Sequence, residues 1–564
     1  MAWLGDFLHR YPDLAVYLAV GLGYLIGGVK IKGFGLGPVT GSLFAGLLIG
    51  QVGHVPVSGT AKSILFLMFI FGIGYSVGPQ FLRSLKGDGG RSAVFGIFVT
   101  VVGLGTAYVV ARFLNLDPGF AAGLLSGGLT ESPAIGTASE AINALPLPEA
   151  ERSRLISHIA VADAVCYVFG TVGVILFCST WAPRLLGIDL RAEAAKLEAE
   201  LGITKTRPGT ASARRMFELR AYRLAPDGRA AGRTVVEAEA LLPNARVFVH
   251  RIRRDGKIIE AEPTTVLAAG DVIAVSGRRE VLVEVIGRSA SEEVDDPELL
   301  DVPAAIFDVL VTNKALVGRT LGEIARTETV LRGVDVRSLT RGGQEIPVAP
   351  GTVVQRGDLF RIVGPEPAVE RAGKLAGAIV RPSDVTDFVT LGLAVFVGGV
   401  LGVVIAVPIG AIHISLSTSV GTLLVGLLVG WLRSVRPTFG RIPDGAVSFM
   451  TALGLAAFVA MVGLHAGPVF IQAVREVGFG LVLGGAVVTL TPQVLGLLFG
   501  RYVLRMNPLL LLGALAGAQT MTAALAAVQE KSGSPVAVLG YTGAVPFGHI
   551  LLTTWGTVIV WLIA

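Results

Sequence analysis

Long apolar stretches separated by short polar turns fill both ends of the chain, while its middle is polar and alternating. In the first part the apolar runs lie at about 14–30, 34–52, 62–82, 92–114 and 156–180. In the last part they return at about 386–408, 411–432, 447–470, 477–500 and 535–564. Each approaches the roughly 20 residues that a helix needs to cross a bilayer. Each half also holds one broken segment, GLLSGGLTESPAIGTA at 123–138 and the stretch 508–530. Gly, Pro and hydroxyl residues interrupt an apolar run there, and Pro133 prevents the first limb from continuing as helix.

The halves are a repeat. GSLFAGLLIG (41–50) matches GTLLVGLLVG (421–430), GYSVGPQF (74–81) matches GLHAGPVF (463–470), and GLLSGGLTESPAI (123–135) matches GALAGAQTMTAAL (513–525). The offsets are 380, 389 and 390. Loop charge then sets the topology. Lys30 and Lys32, then Arg83, Lys86 and Arg91, mark one side of the membrane as cytoplasmic, as do Arg433, Arg436 and Arg441, and Arg501 with Arg505. If each broken segment enters and leaves on the same side, every basic loop is satisfied. Each half then has five spans plus one re-entrant hairpin, the two repeats are inverted, and both termini lie outside. Non-helical backbone at that depth survives only beside protein or a water-filled cavity, and paired broken segments in inverted repeats point to a transport site near the midplane.

Between the halves, 184–215 reads as an amphipathic linker helix, and the pattern beyond it alternates as strands do. VFVHRIRRDG…AAGDVIAVSG (247–277) matches VDVRSLTRGG…QRGDLFRIVG (334–364) at an offset of 87. Each copy carries a Gly-Arg pair before a short helical stretch, Gly232-Arg233 and Gly318-Arg319. The expectation is two tandem α+β modules, 216–288 and 304–379, on the cytoplasmic side. They show no nucleophile–base pairing, metal-ligand spacing or phosphate loop, so regulation or assembly is expected of them and enzymatic chemistry is not. The membrane repeats would then occupy 1–183 and 384–564.

Composition agrees with a chain largely in lipid. Of 564 residues 52% are hydrophobic and 16% charged, against about a quarter charged in soluble proteins. The formal net charge of +5 sits in short loops and orients the spans, so no nucleic-acid partner is expected. Cys166 and Cys178 share one apolar run, which excludes a disulfide scaffold; no metal or cofactor is expected. The apolar N-terminal stretch lacks a cleavage site and reads as a retained span.

The candidate chemistry lies at the breaks. Thr130, Glu131, Ser132 and Pro133 form the first tip, and Gln519, Thr520 and Thr522 the second. Broken helix ends expose backbone N–H groups that favour carboxylates, so these residues are expected to bind substrate. The alternative is that the hydroxyls only satisfy freed backbone groups. Glu131 either faces a cavity, where it carries a coupled proton or meets an ammonium group, or lies at the aqueous mouth of the hairpin. Its repeat counterpart is Met521. Aligning Gly170-Thr171 with Gly556-Thr557 places Asp163 opposite His549, a candidate coupling pair or a locally satisfied one. His465, expected to face Tyr75 and Ser76, is a weaker coupling candidate.

Two apolar halves carrying GGLTESPAIGTA and GAQTMTAALAA, with a paired GD…V.G domain between them, resemble the aspartate–alanine exchanger family of bacterial secondary transporters over nearly the whole chain. The middle modules resemble the C-terminal domains of regulators of K⁺ conductance (RCK-C, or TrkA-C). The resemblance implies a homodimer in the bacterial inner membrane that exchanges small carboxylates or amino acids, aspartate for alanine in the best-known case, through elevator-like movement of a hairpin-bearing domain. Relatives linked to succinate and other dicarboxylates keep a dicarboxylate exporter open, and the RCK-C modules keep a regulated ion channel open. A small cytosolic ligand is a possible partner of the modules.

Overall fold

The computed structural model of the chain describes residues 2–31, 34–35, 37–53, 55–84, 90–202, 217–226, 228–241, 247–278, 281–286, 293–302, 304–341, 344–380, 385–409, 412–415, 417–436 and 439–564. Lys32 and Lys86, two of the orienting charges, lie outside these residues. Two compact units emerge: Met1–Leu197 with Arg341–Ile346 and Pro382–Ala564, and Glu198–Thr340 with Pro347–Arg381.

The first unit is helical. Its first half comprises α1 (Ala2–Arg10), α2 (Pro12–Gly28), α3 (Pro38–Val52), α4 (Gly59–Ser84), α5 (Gly90–Phe113), α6 (Pro118–Gly128), α7 (Pro133–Ala144) and α8 (Glu149–Leu176). Its second half comprises α9 (Phe388–Val404), α10 (Thr418–Val435), α11 (Asp444–Ala466), α12 (Phe479–Leu498), α13 (Pro508–Ala518), α14 (Thr522–Ser532) and α15 (Val538–Ile563). Among the described residues seven helices are long and apolar enough to cross a membrane, and α2, α3, α9 and α13 are shorter apolar helices. The broken segments become α6–α7 and α13–α14, and each begins the same way. Pro occupies the first turn, where its missing N–H costs nothing. Asp117 accepts from Phe120 N at 2.8 Å, and Asn507 accepts from Leu509 N at 2.9 Å.

The repeat is visible in the packing. α3 crosses α11 so closely that a Cβ on Gly46 would lie 2.5 Å from the Ala460 carbonyl oxygen, and one on Gly463 would lie 2.5 Å from that of Leu43. The mirror crossing of α10 on α4 puts Gly74 2.5 Å from the Leu423 oxygen by the same measure. Only small residues permit such backbone approach. α2–α4 pack with α9–α11, and α5–α8 pack with α12–α15. The helical unit therefore consists of two bodies, each drawn equally from both halves.

The middle of the chain carries two modules of one topology. The first has β1 (Phe217–Arg223), β2 (Phe248–Arg254), β3 (Lys257–Glu260), β4 (Val272–Arg278) and β5 (Glu293–Val294), in the order β3-β2-β4-β1-β5. The second has β6 (Ala304–Val311), β7 (Asp335–Arg341), β8 (Gln344–Ile346), β9 (Leu359–Pro365) and β10 (Gly377–Val380), in the equivalent order β8-β7-β9-β6-β10. The Gly of each Gly-Arg pair has positive φ, 79° at Gly232 and 87° at Gly318. Each leads into a short helix closed by a capping box, Thr234 with Glu237 and Thr320 with Glu323. The modules are joined by Arg332, whose guanidinium donates to Glu239 and to the Val249 carbonyl at 2.7 Å.

Candidate functional site

The tips of the two broken segments meet. α6 stops at Gly128 because the Glu131 N–H closes back on the Ser126 carbonyl at 2.8 Å, and α13 stops at Ala518 because the Met521 N–H closes on the Ala516 carbonyl at 2.8 Å. Both turns need a left-handed residue, and both use threonine: φ is 57° at Thr130 and 54° at Thr520. A β-branched residue there stores strain on the order of 1–3 kcal/mol, which persists only where the surroundings impose it. The surroundings are the opposite tip. The Thr130 hydroxyl donates to the Gln519 carbonyl at 3.2 Å, and the Thr520 hydroxyl donates to Glu131 Oε2 at 2.7 Å.

Glu131 is 1% exposed, deep in the protein. Its Oε1 accepts from the Thr553 hydroxyl at 3.1 Å and faces His549 Nδ1 at 3.4 Å, both on α15. A buried carboxylate needs such partners. The carboxylate links the first tip to α15 and to the second tip, and is buried rather than at an aqueous mouth. Ser132 is buried, and the Tyr167 hydroxyl interacts with it; Pro133 opens α7, and Thr522 opens α14 on an exposed turn. No Lys or Arg occurs in 126–135 or 516–525.

Gln519 differs from all of these. Its side chain is buried, the residue being 1% exposed, yet among the described residues neither Nε2 nor Oε1 has a hydrogen-bond partner. Beside it, α14 starts without a side-chain cap on its N-terminus. A buried donor and acceptor without partners among the described residues thus lie three residues before an uncapped helix N-terminus, features suited to a small polar ligand.

Asp163 and His549 are not equivalent positions. A Cβ on Gly170 would meet the Gly127 carbonyl oxygen at 2.4 Å and Thr130 Cγ2 at 2.7 Å. One on Gly548 would meet the Gly517 carbonyl oxygen at 2.9 Å and Thr520 Cγ2 at 3.0 Å. Gly170 therefore corresponds to Gly548, Asp163 to Tyr541 and His549 to Thr171; the Gly-Thr pairing of the final helices was out of register. Asp163 accepts from the Ser126 hydroxyl at 2.6 Å, within the first hairpin and α8. His465 Nε2 lies 3.0 Å from Ser153 Oγ, at the start of α8, while the Tyr75 hydroxyl binds Gly440, Ile442 and Arg433.

Thr553, Ser126 and Thr489, which donates to the Gly128 carbonyl at 2.7 Å, complete the surroundings of the tips. Nothing in the sequence singles them out, because a hydroxyl in an apolar helix usually bonds its own backbone. Among the described residues no group of three or more His, Cys, Asp or Glu is placed to hold a metal.

Residues 15–183 and 390–561 match the Asp-Al_Ex family, described as a predicted permease membrane region, and residues 219–286 match the TrkA-C domain. An uncharacterized transporter of Bradyrhizobium diazoefficiens is 58% identical over 92% of this chain and its own full length. One of Shewanella oneidensis is 39% identical over 99% of both chains. One of Bordetella bronchiseptica is 39% identical over 99% of this chain and 98% of its own. With the permease model matching both apolar halves and these relatives aligning along nearly the whole chain, the protein belongs to the Asp-Al_Ex family of permeases.

Proposed function

We propose that the protein is a secondary-active antiporter that exchanges small carboxylates or amino acids, aspartate for alanine, across the bacterial inner membrane. The unpartnered, buried amide of Gln519 carries this reading. A buried polar group without a partner costs about 1–3 kcal/mol, and a ligand that pairs with both ends removes that cost. Its Nε2 donates to a substrate carboxylate, the N-terminus of α14 adds N–H groups and favourable dipole, and Oε1 accepts from a donor on the same ligand. Thr130, Thr520 and Glu131 hold the two tips in register, so a ligand at Gln519 contacts both halves at once.

The division into two bodies supports an elevator-like cycle. The hairpin-bearing body, α5–α8 with α12–α15, moves as a unit against α2–α4 with α9–α11, and the inverted repeats give the two end positions. In this reading the modules lie in the cytoplasm, both termini lie outside, and a homodimer anchors the second body. The modules hold the dimer together or take a small cytosolic ligand.

The test is counterflow in proteoliposomes loaded with alanine, aspartate or succinate, comparing wild type with Gln519→Ala. Aspartate–alanine exchange that the substitution abolishes is the expected result. Exchange of succinate alone would reassign the substrate to dicarboxylates, and absence of all three fluxes would refute the reading.

A further inference from the structure

Glu140 lies on α7, two turns beyond the first tip, and its side chain leaves the hairpin-bearing body. Its Oε1 accepts from the Thr418 hydroxyl at 2.8 Å and from the Ser419 hydroxyl at 2.5 Å, and its Oε2 faces Ser419 N at 3.3 Å. Thr418 and Ser419 are the first turn of α10, an 18-residue helix of the other body. A carboxylate there meets two hydroxyls, a free N–H and the positive end of the helix dipole together. Charge-assisted bonds of this kind are among the stronger ones available.

The repeat makes this contact informative, because it has no mate. The offset of 390 that relates the hairpins takes Glu140 to Glu530, and the residue type is retained. Glu530 is exposed on α14 and has no hydrogen bond or ion pair among the described residues. The offset of 380 takes Thr418 and Ser419 to Pro38 and Val39, which begin α3 without a hydroxyl. The packing follows suit. α8 lies on α11 as α15 lies on α4, whereas α7 is bonded to the start of α10 through Glu140 and Glu530 of α14 makes no such bond among the described residues. Two repeats of one design therefore differ in where the hairpin-bearing body sits.

We propose that Glu140 is a latch that holds the hairpin-bearing body at one end of its travel. Release requires the carboxylate to leave the start of α10, and the opposite seat brings α14, with Glu530, toward the start of α3. Pro38 and Val39 offer no hydroxyls and the next residue, Thr40, is buried, so that seat has no equivalent latch and the observed seat is the resting one. The inference rests on the transporter reading only for its consequence, not for its geometry.

The experiment places spin labels at Leu48→Cys on α3 and Ala526→Cys on α14, both exposed positions, and measures their distance distribution in the full-length protein. The native Cys166 and Cys178 are buried and stay unlabelled. Wild type is expected to give one dominant distance. Glu140→Ala, and independently Thr418→Ala with Ser419→Ala, are expected to add a second, shorter distance carrying at least a third of the population. An unchanged distribution in both variants overturns the latch. Counterflow on the same samples separates the two readings: exchange with an unchanged distribution sinks the latch alone, and a shifted distribution without exchange of any substrate sinks the transporter reading alone.

Discussion

Thr520 donates its hydroxyl to Glu131 at 2.7 Å, so the second hairpin tip holds the carboxylate of the first. The bond joins residues 389 positions apart and sits between two left-handed threonines that no local preference favours. A double-mutant cycle on Glu131→Gln and Thr520→Ala is expected to show coupling of about 1 kcal/mol. In counterflow the double variant should therefore be about fivefold more active than multiplied single effects allow. Strict additivity would mean that the tips do not communicate through this bond.

Gln519 predicts a conflict between stability and function. Gln519→Leu is similar in size and removes two buried polar atoms that have no partner among the described residues, a change expected to stabilise the ligand-free protein by about 1–3 kcal/mol. The same substitution should abolish exchange. Thermal unfolding in detergent and counterflow read the two effects, and a destabilised Gln519→Leu protein would show that the amide is already satisfied.

How far the sequence alone reveals this site depends on which signal each residue gives. The break at Thr130–Pro133 is legible because Gly, Pro and a carboxylate disrupt an apolar run, and the repeat then locates Gln519–Thr522. The two modules are legible because each GD turn and each Gly-Arg pair recurs at nearly one spacing. Thr553 and Glu140 are invisible. One is a hydroxyl within a long apolar helix, the other a carboxylate at the far end of a hairpin arm, and both acquire meaning only through partners hundreds of residues away. The false equivalence of Asp163 and His549 has the same origin. A Gly-Thr pair is too common in a Gly-rich chain to fix register, whereas backbone contact at Gly170 and Gly548 fixes it.

The mirrored crossings predict mirrored sensitivity. A Cβ added at Gly46 or Gly74 would strike a backbone oxygen at 2.5 Å, and neither helix can yield without shifting its partner. Gly46→Ala and Gly74→Ala are each expected to destabilise the protein by about 1–3 kcal/mol. Gly105→Ala, where no neighbour lies within 4 Å of the added Cβ, should instead be neutral to stabilising by up to about 1 kcal/mol. Thermal midpoints of the three variants check this, and unequal effects of the first two would argue against equivalent crossings.

His250 gives the first module a dependence on pH. Its Nε2 lies 2.6 Å from Ser276 Oγ, between β2 and β4. Burial, with Arg332 and Arg251 nearby, lowers its pKa from 6.5 to about 4. The folded module therefore keeps His250 neutral where the unfolded chain would already take up a proton. Stability from this group is complete above pH 6.5, falls as the pH drops from 6.5 toward about 4, and levels off below that. The loss amounts to about 3 kcal/mol across the window. Hydrogen exchange of the amides in Phe248–Arg254 and Val272–Arg278, corrected for intrinsic rates, should show protection falling through that range in wild type. His250→Gln, which keeps a polar partner for Ser276 but cannot titrate there, should flatten the profile. An equal pH dependence in both proteins would assign the effect to other groups.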